Sequence, residues 1–167
     1  MTHRGKQREV EVSNISELVN GLFDNNNGAA YECLKALVIA SEEDDGVYRF
    51  FDTFADMMDS QNSYIRTRGM LLISANAKWD TDCKIDEIID KYLCHILDDK
   101  PVTARQCIKA LPNIAKHKPE LVGDIRDALN NASLQRYGDS MRPLVFGDVK
   151  AALKRIDGSV SEGSGSA

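Results

Sequence analysis

The side chains best suited to metal chemistry in this chain are Cys94 and His95, with Cys83 or His117 as further ligands. A thiolate and an imidazole nitrogen suit zinc. A closed zinc site, however, needs four such groups at characteristic spacings, and these residues follow none of them. Cys94 is also expected on the buried side of its helix. The run Glu42-Glu43-Asp44-Asp45 gathers four carboxylates. Next to Gly46 they read as a solvated turn and as favourable charge for the start of a following helix. The sequence has no Gly-rich phosphate loop, HExxH, CxxC, EF-hand loop or Gly-x-Ser-x-Gly nucleophile turn. We expect no metal, no cofactor and no catalytic group, and look to binding instead.

What the chain has in quantity is patterned charge. The formal net charge of its 167 residues is −5, but the two signs are segregated. Residues 41–60, 79–99 and 119–139 carry −6, −5 and −2, whereas 62–78, 100–118 and 140–155 carry +3, +5 and +3. Alternating blocks of this kind either pair with each other across neighbouring elements or present one sign on one face, where a groove would concentrate the field.

The elements that position these blocks follow from hydrophobic spacing. Residues 1–12 are polar and expected to fray. Asn14 with Glu17 makes a capping box for a short helix with Ile15, Leu18, Val19, Leu22 and Phe23 on its apolar face. Helical spacing then predicts helices over about 29–41, 46–59, 64–79, 82–97, 101–117, 119–131 and 140–156. Ser63 is the expected cap of the third of these. Pro101 and Pro119 suit first helical turns, where an N–H has no intrahelical partner. Pro112 falls inside a helix and should kink it. Gly158 is the expected stop, and the Gly/Ser-rich remainder 159–167 is expected to be disordered. No segment alternates as a strand does, so the chain reads as all-α.

Sliding the sequence along itself by 37 residues aligns Cys33, Met70, Cys107 and Leu144, and beside them Leu34, Leu71, Ile108 and Val145. Tyr31, Arg68, Arg105 and Arg142 form a third column. A period in this range is the mark of stacked helix pairs, none of which can bury its apolar stripe alone. Three domains are read on this basis: an arm and capping helix at 1–27, a repeat domain at 28–156, and a tail at 157–167. The four cysteines and the absence of an apolar core after the basic N-terminus predict a cytoplasmic protein without disulfides.

The stretch Pro101-Val102-Thr103-Ala104-Arg105-Gln106-Cys107-Ile108-Lys109-Ala110-Leu111 resembles the second helix of a HEAT repeat. Ile65-Arg66-Thr67-Arg68-Gly69-Met70-Leu71-Leu72 and Met141-Arg142-Pro143-Leu144-Val145 are weaker copies. The resemblance covers roughly residues 28–156. It implies a right-handed α-α superhelix of about three and a half helix pairs, with second helices lining a concave face. It also implies a scaffold, adaptor or regulator more than an enzyme.

On helix 101–117, Ala104, Cys107, Ile108, Leu111 and Ala115 are expected to face the core, and Gln106, Lys109, Asn113 and Lys116 the groove. At 37-residue spacing the equivalents are Leu72, Asn76 and Trp79, then Phe146 and Lys150. Together with Arg66, Arg68, Arg105 and Arg142 these make the candidate partner-binding set. Trp79 has two readings, as interface anchor or as packing at a helix end. The arginine column also has two, as groove cations or as ties between neighbouring helices. The expected partner is an acidic or mixed segment of another protein, self-association being a further possibility. A second reading is DNA binding. HEAT-like alkylpurine DNA glycosylases grip duplex DNA in such a groove with aromatic and acidic residues, and Trp79-Asp80 resembles that equipment. A third is a regulatory subunit or lyase-type chaperone, as in some other HEAT-like families.

Overall fold

The computed structural model describes residues 3–163, and the side-chain environments of residues 11–161. Among the described residues all regular structure is helical, in eight α-helices and five short 3-10 turns. None of these helices is long and apolar enough to cross a membrane. The chain divides into two compact units, 1–79 and 80–167.

The first unit contains α1 (His3–Gly21), α2 (Asn27–Glu43), α3 (Phe51–Met57, entered by a 3-10 turn at Tyr48–Phe50) and α4 (Ser63–Ala75, followed by a 3-10 turn at Ala77–Trp79). Helix α1 packs on α2, and α4 packs on both α2 and α3. Their shared core includes Leu22, Leu37, Val47, Phe54, Met70 and Ile73, all fully buried. Asparagines start two of the helices. The Asn26 side chain accepts the Ala29 N–H at 3.1 Å, and Asn62 accepts that of Tyr64 at 2.9 Å. Each satisfies a donor left over at a helix start. Helices α3 and α4 touch backbone to backbone at Gly69, where an added Cβ would lie 2.6 Å from the Phe54 carbonyl oxygen.

The second unit contains α5 (Lys84–Cys94, ending in a 3-10 turn at His95–Leu97), α6 (Pro101–His117), α7 (Val122–Asn131, entered by a 3-10 turn at Pro119–Leu121) and α8 (Arg142–Gly163, after a 3-10 turn at Leu134–Arg136). Helix α8 packs along α6 and against α7. Ile85, Tyr92, Cys107, Ile108, Leu111, Ile114, Ile125 and Val145 are fully buried between them. The Asp98 carboxylate starts α6 by accepting the Lys100 N–H at 2.9 Å, and its other oxygen lies 2.8 Å from His95 Nδ1. The Tyr137 hydroxyl donates to the Asp98 carbonyl at 2.6 Å, and burial pushes its phenol up to about 12.

Several expectations from the sequence are corrected here. Asn14 and Glu17 lie inside α1, which begins at His3, so residues 3–12 are helical and the capping box opens nothing. Asn62, not Ser63, caps α4. Helix α8 passes through Gly158 to Gly163, so the start of the Gly/Ser-rich stretch is helical, and residues 164–167 lie outside the described residues. Residues of the expected arm, Val19 and Leu22, are buried core of the first unit. Pro112 sits buried within α6, which runs on to His117.

Candidate partner-binding surface

The burial pattern of α2, α4, α6 and α8 decides which candidate residues reach the surface. On α6 the residues expected in the core, Ala104, Cys107, Ile108, Leu111 and Ala115, are all buried. The opposite stripe comprises exposed Val102, Lys109 and Lys116, with Arg105, Gln106 and Asn113 half-buried. No acidic side chain interrupts it.

The same stripe on α4 is not where a 37-residue offset places it. Leu72 and Asn76 are fully buried, and Trp79 is half-buried. The open side of α4 carries Tyr64, Thr67, Leu71, Ala75 and Lys78, which match Val102, Arg105, Lys109, Asn113 and Lys116 at an offset of 38. On α2 it carries Tyr31, Lys35, Ile39 and Glu42, which match Thr67, Leu71, Ala75 and Lys78 at 36. One residue is 100° of helix, so a slip of one turns a solvent position into a core position. Asn76 and Trp79 hold α2 to α4: Asn76 Nδ2 donates to Ser41 Oγ at 3.1 Å, and Trp79 Nε1 to the Ser41 carbonyl at 2.7 Å. Trp79 takes its packing role.

The arginines act as ties. Arg68 is buried and donates to the Leu22 carbonyl and to Asn27 Oδ1, both at 2.9 Å, joining α4 to the α1–α2 turn. Burial lowers its pKa. Arg66 is also buried and donates to the carbonyls of Ser60 and Gln61 at 3.0 and 3.2 Å. Arg105 Nε meets Asp148 Oδ2 at 2.6 Å, linking α6 to α8, and this hydrogen bond raises the arginine pKa. Arg142 donates to the Tyr137 carbonyl at 3.0 Å. Arg66 and Arg68 are thus withdrawn from the surface, Arg105 is half-buried and paired, and the Arg142 side chain stays 43% exposed.

On α8, Phe146 is 55% exposed and Lys150 is exposed, with its ammonium 5.4 Å from the Phe146 ring centroid. Each is two residues, about 200°, from Asp148, so they point away from the side of α8 that meets Arg105. The side that does adjoin α6 carries Ala151, Arg155 and Ser159, at spacings of 3, 7 and 11 from Asp148. The cations brought together on one face are therefore Lys109, Lys116 and Arg155. Lys150 lies apart from them. Arg155 belongs to the basic block 140–155, but its face could be read only after Asp148 was placed.

The chain matches no family model, no curated protein and no solved structure. The HEAT resemblance therefore rests on the quoted residues, and the surface must be judged by its own chemistry.

Two further groups prominent in the sequence are occupied by the fold. Lys118, counted in the most basic block, is buried, with its ammonium 3.2, 3.3 and 3.0 Å from carboxylate oxygens of Asp80, Asp86 and Glu120. Burial opposes its charge, but the hydrogen bonds it donates to Glu120, Asp80 and Asp86 outweigh that and raise its pKa well above the ordinary lysine value. Asp80 also accepts the N–H groups of Lys84 and Ile85 at 2.9 and 3.0 Å, capping α5. Of the two residues that suggested DNA processing, Asp80 is thus engaged at the start of α5 and with Lys118, and Trp79 Nε1 with the Ser41 carbonyl. The thiols are all free: Cys107 is buried, Cys33 half-buried, and Cys83 and Cys94 exposed, the last against expectation. Among the described residues no group of three or more His, Cys, Asp or Glu side chains is placed to hold a metal ion.

Proposed function

We propose that this chain is a non-catalytic helical-repeat module of HEAT-like stacking, a scaffold, adaptor or regulator of the cytoplasm. It holds an acidic or mixed segment of another protein on the α6–α8 face. The observation that carries this reading is the state of Lys109, Lys116 and Arg155. All three are exposed, and no ion pair holds them among the described residues, whereas the neighbouring cations Arg105 and Lys118 are neutralised. A face with unpaired charge of one sign raises the local concentration of the opposite sign and speeds its capture. The α-helical hairpins support the repeat reading, as does a side-chain pattern that recurs at 36 and 38 residues.

The test is the triple variant Lys109→Glu, Lys116→Glu, Arg155→Glu, titrated with a fluorescently labelled glutamate-rich peptide. The variant should lose binding while its melting temperature stays within about 2 °C of the parent, because exposed positions contribute little to stability. Undiminished binding overturns the reading. Duplex DNA, titrated in parallel at low salt, should not bind; tight binding that weakens steeply with salt would mean that phosphates are what these cations meet.

A further inference from the structure

At the end of the second unit, α6 finishes, α7 begins and α8 runs through its last turns. They enclose a groove of about 470 Å³. Its walls are Ala115, Pro119, Val122, Ile156 and Val160, and the charged residue that lines it is Lys116. Val160 is 49% exposed, an aliphatic side chain left in water on an otherwise polar stretch of α8. Two carboxylates near it in sequence are engaged: Glu120 with Lys118 at 3.0 Å, and Asp157 with Arg126 at 2.7 Å. Lys116 belongs both to the groove and to the cationic stripe of α6, so the apolar walls and the unpaired cations form one continuous surface.

We infer that this groove receives an apolar side chain of the same acidic segment, so that the partner is an acidic peptide carrying a bulky aliphatic or aromatic anchor beside its carboxylates. The inference rests on the function proposed above and deepens it. The cations attract the segment and Lys116 meets a carboxylate at the rim. The groove then selects by size and polarity, since seating an apolar side chain there removes the surface of Val160, Val122 and Pro119 from water. A peptide with charge alone would bind, but loosely and in many registers. An anchor fixes one register, as buried apolar anchors do at interfaces generally.

The experiment uses two labelled eighteen-residue peptides with the same glutamates, one bearing leucines between them and the other serines at those places. The full chain should bind the leucine peptide at least about tenfold more tightly. Val160→Asn, a polar but uncharged replacement, should erase that preference and leave the serine peptide's affinity within about twofold, with the helical circular dichroism unchanged. Equal affinity for the two peptides overturns the inference, and so does a preference that survives Val160→Asn. Lys109→Glu with Arg155→Glu, outside the groove, should weaken both peptides alike. If that pair leaves both affinities unchanged while the leucine preference persists, the cationic reading fails and the groove stands. If neither peptide binds the parent chain, both readings fall. Concentration-dependent sedimentation abolished by Val160→Asn would show a second copy in the groove, against the inference.

Discussion

The two units use their basic residues in opposite ways. In the first, Arg66 and Arg68 turn inward and end on backbone carbonyls, and the open sides of α2 and α4 show Tyr31, Ile39 and Tyr64, each more than half exposed, beside Lys35, paired with Glu32, and Lys78, bonded to the Glu42 carbonyl. In the second, one lysine is buried among three carboxylates and one arginine is paired with Asp148, while Lys109, Lys116 and Arg155 remain in water. The +3 block at 62–78 thus keeps its cations on carbonyls within the first unit, whereas the +5 block at 100–118 leaves Lys109 and Lys116 in water. Local charge counts the groups available, and burial decides which of them a partner can meet.

The largest test of this contrast is Lys118→Ala. Removing the ammonium leaves Asp80 buried without its counter-charge, which costs about 3–5 kcal/mol in comparable buried pairs. Urea denaturation should show a loss of that size, whereas Lys116→Ala, two residues away, should change the midpoint little. Similar small effects at both positions would mean that all the lysines of the second unit behave as surface groups.

A pair of glycines sharpens the comparison next. Gly69→Ala drives a Cβ to 2.6 Å from the Phe54 carbonyl and 2.8 Å from Met57 Cβ, and overpacking of this kind costs roughly 1–3 kcal/mol. Gly147→Ala, on α8, meets nothing within 4 Å and should stabilise by about 0.5–1 kcal/mol through helix propensity. Opposite signs in thermal melts are the expected result. Arg68→Ala should then cost about 1–3 kcal/mol, since it leaves the buried Leu22 carbonyl without its donor. Arg105→Ala should cost much less, because its pair is open to solvent screening. Reversal of that order would show that the surface tie, not the buried one, holds neighbouring helices.

The smallest effect is in pH. Glu120 has its pKa lowered, by a hydrogen bond from its own backbone N–H and then by Lys118, from an ordinary 4.5. Its contribution is therefore complete above about pH 4.5 and fades as pH falls through the folded value. Lys118 is raised from 10.5 and the Tyr137 phenol from 10.0 to about 12, so their contributions are complete below about pH 10 and fade as pH rises through the folded values. Denaturation midpoints should hold level between these limits, and Lys118→Met should make the acid limb shallower.

Much of the fold was legible in the sequence because amphipathic spacing reports burial directly. Helix 101–117 stands where its spacing and Pro101 put it, and its five expected core residues are buried. The surface was harder to read. A constant 37-residue period averages two true spacings, 36 and 38, and that one-residue error sent Leu72 and Asn76 to the solvent side when they belong to the core. The ends of α1 and α8 were misjudged for another reason. Asn14-Glu17 and Gly158 are local start and stop signals, and in both places the helix continues through them. Lys118 could not be read at all, since its three carboxylates come from two separate stretches of chain.

That cluster has a consequence for how the second unit comes apart. One ammonium closes the turn before α7 and, through Asp80, also holds the first amides of α5. Local fluctuations there cannot be private to either segment. The amide protons of Lys84 and Ile85 should exchange with deuterium in step with those at the start of α7, as a single cooperative opening.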